Sequence, residues 1–324
     1  VPWADILTVD MSLYDTPTGR AELVRVVSAA LRRDGFFYLI NHGVSKEHIQ
    51  QQFSLSLATF DQVPLAEKEQ HLAPIVEKGS YRGYKLQTFW EIENGVRDRI
   101  EAYNFDLHDL EPPESHPALL RPYLDDVRDF LGEVRIQVLK RVLSLMDGAF
   151  EVPEGTLWKL HDHEGQGGRD VLKYSVYEPM SPSQAEKAHS VYLPEHTDFS
   201  TVTTLFSQPV AGLQVKGFDG SWKWVKHQEN AILINTGDNI TFLSGGVFKA
   251  AMHRVVRPPQ DQVHLRRVGL FHFSRALDGT LLLPLSQSPV VQKEGKNMFE
   301  PGTQVLTTDE WERARTSVFG TGEK

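Results

Sequence analysis

His196 and Asp198 stand two residues apart in PEHTDFSTVTTLF, an apolar, threonine-rich run with the pattern of a β-strand. On a strand that spacing turns both side chains to one face, about 7 Å apart at Cα. One imidazole and one carboxylate therefore converge. His253 lies in a second strand-like run, FKAAMHRVV, where Ala251, His253 and Val255 share a face. Two imidazoles and one carboxylate on one side of a metal, with the remaining positions open, form the donor set of a non-haem Fe(II) centre that activates dioxygen. The sequence holds 13 histidines, so close pairs also arise by chance. The rival pair His161 and His163 falls at a helix end or loop, where the same spacing does not guarantee a common face. The glycines between Gly165 and Gly168 lack the phosphate-binding pattern and precede a strand, so they read as a plain loop.

Strand alternation gathers a second group. In RRVGLFHFSR, Arg267, Gly269, Phe271 and Phe273 share one face; in VLKYSVY, so do Lys173, Ser175 and Tyr177. A guanidinium inside an apolar sheet is costly unless a carboxylate meets it, best in a two-pronged fork. With Asp198 committed to a metal, that carboxylate belongs either to a local Asp or Glu or to a small molecule.

The elements that must position these groups divide in two. From about Thr18 to Asp34, Leu23, Val27, Ala30 and Leu31 recur on one helical face, and Gly35 stops the helix. FFYLI over 36–40 reads as a strand. Ser45 is an N-cap for a helix with Ile49, Phe53, Leu57 and Phe60 on its apolar face. The segment from Gly79 to Leu107, rich in aromatics and glycine, reads as short strands and loops that reach over a pocket. From about Pro117 to Met146, Leu120, Leu124, Val127, Leu131, Val134, Val138, Val142 and Leu145 step by three and four, giving the longest helix, closed by Gly148. A short helix follows from Pro153 to His161. After it the chain turns into short strand-like runs between turn residues. Helices first and strands after predict an α+β chain built on a β-sandwich or barrel. With no linker or repeat, residues 1–165, a helical part with short strands, and 166–324, the strand-rich core with a C-terminal helix, read as one structural unit.

Composition narrows the partners. Hydrophobic residues at 40% and charged residues at 24% suit a chain with a large core. The net charge of −9, without a Lys/Arg cluster, argues against nucleic acid. There is no cysteine, which excludes thiolate sites and disulfides and fits a cytoplasmic enzyme. No apolar run approaches the roughly 20 residues of a membrane span. The oligomeric state is not legible.

In combination, DGFFYLINHGV, EHTDFSTVTTLF, GLQV, INTGD, HRVV and RRVGLFHF make the chain resemble the isopenicillin N synthase-like family of Fe(II)- and 2-oxoglutarate-dependent dioxygenases. The resemblance spans nearly the whole chain. It implies a distorted double-stranded β-helix, the cupin-like jelly roll, flanked by helices, with His196, Asp198 and His253 as the iron triad. It implies that Arg267 grips the distal carboxylate of 2-oxoglutarate and that Tyr177, in the family's cosubstrate-binding strand, assists. Two positions depart from the family pattern: Gly269 stands where a serine is usual, and Ser175 where an asparagine is usual. Iron, 2-oxoglutarate and dioxygen are the implied cofactor and cosubstrates, with ascorbate an expected stimulant. Asp198 argues against halogenation, which needs a small residue there. The competing readings are an oxidase like isopenicillin N synthase itself, in which Arg267 holds a substrate carboxylate, and a non-catalytic binding protein on the same barrel.

The expected substrate is a small, largely apolar, aromatic or polyketide-like metabolite of natural-product biosynthesis, oxidised by hydroxylation, desaturation or ring rearrangement. Its expected contacts are Tyr84, Tyr103, Phe105, Phe199, Phe271 and Phe273, because apolar walls with a few polar anchors suit a planar organic ligand.

Overall fold

The alternating apolar runs become fourteen strands among the residues that the computed structural model describes, which are 1–107, 110–162, 169–296, 298, 302 and 304–318. In chain order they are β1 (Leu7–Asp10), β2 (Phe36–Ile40), β3 (Gly83–Lys85), β4 (Glu91–Glu93), β5 (Val96–Arg97), β6 (Ile100–Asp106) and β7 (Arg169–Tyr177). Then follow β8 (Val191–His196), β9 (Val202–Phe206), β10 (Leu213–Lys216), β11 (Trp222–Trp224), β12 (Ile232–Thr236), β13 (His253–Val256) and β14 (Arg267–Arg275). An eight-stranded sheet runs β1-β2-β12-β9-β14-β7-β6-β3, and a four-stranded sheet runs β11-β10-β13-β8. Strands from the N-terminal part thus extend both edges of the larger sheet.

Two layers of core follow from this alternation. Tyr177, Leu205, Leu213, Val215, Leu233 and Val255 pack between the sheets. Their neighbours Leu172, Tyr174, Val176 and Leu270 point the other way, into a core shared with the helices. The first helix, Pro17–Arg33, is capped by Thr16, whose side chain accepts from the Gly19 amide, and buries Leu23, Val27, Ala30 and Leu31 as the periodicity predicts. Ser45 caps Lys46–Asp61 in the same way, through the His48 amide. That helix is rotated from expectation: Leu57 is exposed, while Gln52, Leu55, Ser56, Thr59 and Phe60 are buried. The physical reason is polar, since Gln52 accepts a hydrogen bond from the buried Tyr174 hydroxyl.

The long helical run is present as Leu124–Glu133 and Lys140–Phe150, joined by the π-helical turn Val134–Leu139. Its predicted apolar positions from Leu120 to Leu145 are all buried. It runs past Gly148 and ends at Glu151, which adopts a left-handed conformation. The predicted helix Pro153 to His161 is reduced to the turn Trp158–Leu160, because the Asp147 carboxylate takes the Gly155 and Leu157 amides for itself. His163 and the glycines from Gly165 to Gly168 lie outside the described residues. No helix among the described residues is long and apolar enough to cross a membrane.

Candidate metal centre and its cavity

β8 ends at His196, so Asp198 is not on the strand as its spacing suggests. The chain leaves the sheet at Thr197, and Asp198 is instead placed by hydrogen bonds. Its backbone carbonyl accepts from the Asp238 amide at 2.8 Å. One carboxylate oxygen, Oδ2, accepts from Thr203 Oγ1 and Asn235 Nδ2, both at 2.7 Å. The other, Oδ1, lies 3.9 Å from His196 Nε2 and 3.8 Å from His253 Nε2. His196 and His253 are register partners across β8 and β13. Each ring points its Nδ1 at a backbone carbonyl 2.9 Å away, Pro194 for His196 and Ala251 for His253. With Nδ1 as the donor, Nε2 is the ring atom left to ligate a metal.

The three side chains offer ligand atoms within 4.8 Å of one another. Burial, then the neighbouring His253, push the His196 pKa down to about 4, so that ring is neutral and able to ligate. Burial opposes the charge on Asp198, but the two imidazoles and the donors Asn235 and Thr203 outweigh it and hold the carboxyl below its ordinary value. This set fits a divalent first-row metal: neutral nitrogens, one ionised oxygen, and every second atom already engaged. Thr203 and Asn235, which orient the carboxylate, are functional residues that the sequence reading misses. Their only signal there is the shared face of β9 and β12.

Arg267 pairs in register with Tyr177, and Gly269 with Ser175. Arg267 is 4% exposed, and among the described residues its Nε and Nη1 have no hydrogen-bond partner. It lies 5.1 Å from the centre of the Tyr177 ring. Burial lowers its pKa, and Tyr177 opposes that. Gly212 lets the backbone approach: a Cβ there would stand 3.1 Å from Arg267 Cδ, at a φ of +153°. A buried guanidinium with two unpaired nitrogens fits the carboxylate of a bound small molecule rather than a local ion pair. Gly269 also has a steric reason. A Cβ there would collide with the Phe271 ring and stand 2.6 Å from Ser175 Oγ.

The metal-ligand side chains His196 and Asp198 open onto a cavity of about 420 Å³, which Tyr177 also lines. Of the six expected substrate contacts, Phe199 and Phe273 line it. Phe271 stacks on Phe273 with ring centres 5.8 Å apart but is not part of the lining. Tyr84, Tyr103 and Phe105, contrary to expectation, do not reach the cavity. Alternation along β6 gives the wall to Ala102, Asn104 and Asp106, and turns Tyr103 and Phe105 into the helix-side core. Tyr84 follows them, with its hydroxyl on the Thr59 carbonyl. The segment around β3 to β6 does cover the pocket, through Trp90, Tyr81 and Arg82. The C-terminal helix Thr308–Val318 closes another side with Asp309, Glu312 and Arg313. Lys173, on the same face as Ser175 and Tyr177, also lines the cavity, a position that alternation gives but to which the sequence alone assigns no role.

The chain is similar to known proteins. Residues 6–124 match the family described as non-haem dioxygenase in morphine synthesis N-terminal, and residues 171–276 match the 2OG-Fe(II) oxygenase superfamily. The chain is 30% identical over 242 residues to flavonol synthase 1 of Crocosmia x crocosmiiflora, spanning 72% of this chain and 67% of that protein. It is 28% identical over 267 residues to a 2-oxoglutarate-dependent dioxygenase of Gibberella zeae, spanning 80% of this chain and 76% of that protein. Among solved structures, a full-length Neurospora crassa protein in complex with alpha-KG superposes with a TM-score of 0.81 at 21% identity, covering 96% of each chain. At that identity the likeness establishes the fold, a double-stranded β-helix.

Proposed function

The chain belongs to the 2OG-Fe(II) oxygenase superfamily, and from that premise we propose that it oxidises a C–H bond of a small aromatic metabolite in natural-product biosynthesis. Fe(II) is its metal, and 2-oxoglutarate and dioxygen are its cosubstrates. In this reading His196, Asp198 and His253 hold the iron, which supplies dioxygen activation coupled to decarboxylation of 2-oxoglutarate. The protein does the rest. The Pro194 and Ala251 carbonyls and the Thr203 and Asn235 donors keep three ligand atoms aimed at one point before the metal arrives, so little ordering remains to be done on binding. Arg267 takes the distal carboxylate of 2-oxoglutarate, with Tyr177 and Ser175 beside it and Gly269 leaving room for the Phe271 ring. Phe199, Phe273 and Trp90 offer faces for a planar substrate and keep water from the reacting carbon.

The observation that carries this reading is the convergence of three ligand atoms within 4.8 Å of one another, with His196 and Asp198 lining a cavity of about 420 Å³. Similarity to a protein named flavonol synthase supports the natural-product assignment. The test is a screen of aromatic plant and microbial metabolites for stimulation of succinate formation from 2-oxoglutarate, with product identified by mass spectrometry. One succinate per oxidised aromatic product is the expected result. Stimulation by nucleobases or amino acids alone would overturn the substrate class, and product without succinate would overturn the role of Arg267.

A further inference from the structure

Lys173 is a cation on the cavity wall to which no described residue gives an ion pair or a hydrogen bond. Other cations of that wall are already matched: Lys85 with Asp98, Arg275 with Glu312, and Arg313 with Asp309. Its Nζ lies 5.8 Å and 5.9 Å from the centres of the Phe271 and Phe273 rings, which offset only part of the lost hydration. Burial, then the nearby Lys85, push its pKa down to about 8, against the pull of Asp198 and Asp98, so it remains a cation at neutral pH. Neither carboxylate is free to neutralise it. Asp98 is bound to Lys85, and Asp198 gives Oδ2 to Thr203 and Asn235 and turns Oδ1 toward the two imidazoles.

We infer that Lys173 receives the carboxylate of an organic-acid substrate whose aromatic part lies against Phe273, beside His196 and Asp198. The inference rests on the oxygenase reading of the same cavity and narrows its substrate from aromatic metabolites to aromatic acids. An ammonium beside the Phe273 ring recognises one anionic group at a set distance from a planar body, and the burial of Lys173 strengthens the ion pair.

The test is calorimetric binding to the full chain loaded with Mn(II) and 2-oxoglutarate without oxygen, so that no turnover is needed. The probes are benzoate, cinnamate and 2-naphthoate, each against its primary amide. The wild type is expected to prefer at least one acid over its amide by about tenfold or more, K173M to equalise the pair, and K173R to keep much of the preference. Equal affinity for acid and amide in the wild type overturns the inference, as does a preference that persists in K173M. A selective loss of 2-oxoglutarate affinity in K173M, with the acid preference intact, also overturns it and gives Lys173 to the cosubstrate. Failure of the oxygenase reading shows separately, as absence of succinate from iron-loaded wild type.

Discussion

His196 and His253 face each other across neighbouring strands with ring centres 4.2 Å apart, each ring pointing its Nδ1 at the carbonyl two residues before it. The repeat of one local device at two distant places in the chain sets both Nε2 atoms against the same carboxylate oxygen. It also predicts that the three ligands act as a unit. His196→Ala, Asp198→Ala and His253→Ala should each abolish turnover and weaken Fe(II) binding, measured anaerobically by titration. Full activity in the three variants would remove the metal assignment.

Thr203 and Asn235 hold the far oxygen of Asp198, so their loss should be felt at the metal. Thr203→Val and Asn235→Ala are each expected to weaken metal affinity about 10- to 100-fold while leaving the fold intact by circular dichroism. Unchanged affinity in both would mean that Asp198 is positioned by its backbone alone.

Arg267 is 4% exposed and has two guanidinium nitrogens without a hydrogen-bond partner among the described residues. Arg267→Ala should raise the Michaelis constant for 2-oxoglutarate about 100-fold or more, the loss of a charged fork, and that for the organic substrate much less. Gly269→Ser, which restores the residue usual in the family, should impair rather than improve 2-oxoglutarate binding, because the Phe271 ring occupies the space. Tighter binding in that variant would show that the ring yields.

Much of this is legible in the sequence alone. The step of three and four from Leu120 to Leu145 marks the buried face of the long helical run, and alternation puts Arg267 on one face with Gly269 and Phe273, and Tyr177 on one face with Lys173 and Ser175, while the register that sets Arg267 opposite Tyr177 comes from the fold. Alternation also misleads. On β6 the aromatic residues suggest one phase for the ligand face, whereas the cavity lies on the side of Ala102 and Asn104, because the larger rings fill the helix-side core. A period of two states which residues share a face, not which face meets the ligand. The spacing of His196 and Asp198 likewise suggests one strand, but the strand stops two residues before Asp198, since hydrogen bonds from Asp238, Thr203 and Asn235 have no signature in spacing.

His161 supplies a pH dependence. It is fully buried, with Leu157 O at 2.7 Å from Nδ1 and Thr201 Oγ1 at 2.7 Å from Nε2, and burial pushes its pKa down to about 4. The unfolded chain, with an ordinary histidine, therefore binds more protons than the folded one between about pH 6.5 and 4. Stability contributed by the neutral ring is present above that window and is lost as pH falls through it. His161→Gln should flatten the fall of melting temperature across this range. An unchanged slope would assign the acid sensitivity to other groups.

Phe273 and Tyr103 separate the wall from the core. Phe273 lines the cavity, so Phe273→Ala removes a face for the substrate and should raise its dissociation constant about tenfold, with a modest loss of stability. Tyr103 is 1% exposed, packed against Tyr84 and Phe105 with its hydroxyl 2.7 Å from His116 Nδ1. Tyr103→Ala empties that space and breaks a buried hydrogen bond, and should cost about 3–5 kcal/mol of folding stability. Whatever protein stays folded should bind substrate with nearly wild-type affinity, as read by calorimetry below the melting transition. Selective loss of substrate affinity in Tyr103→Ala, with Phe273→Ala unaffected, would put the substrate on the other side of β6.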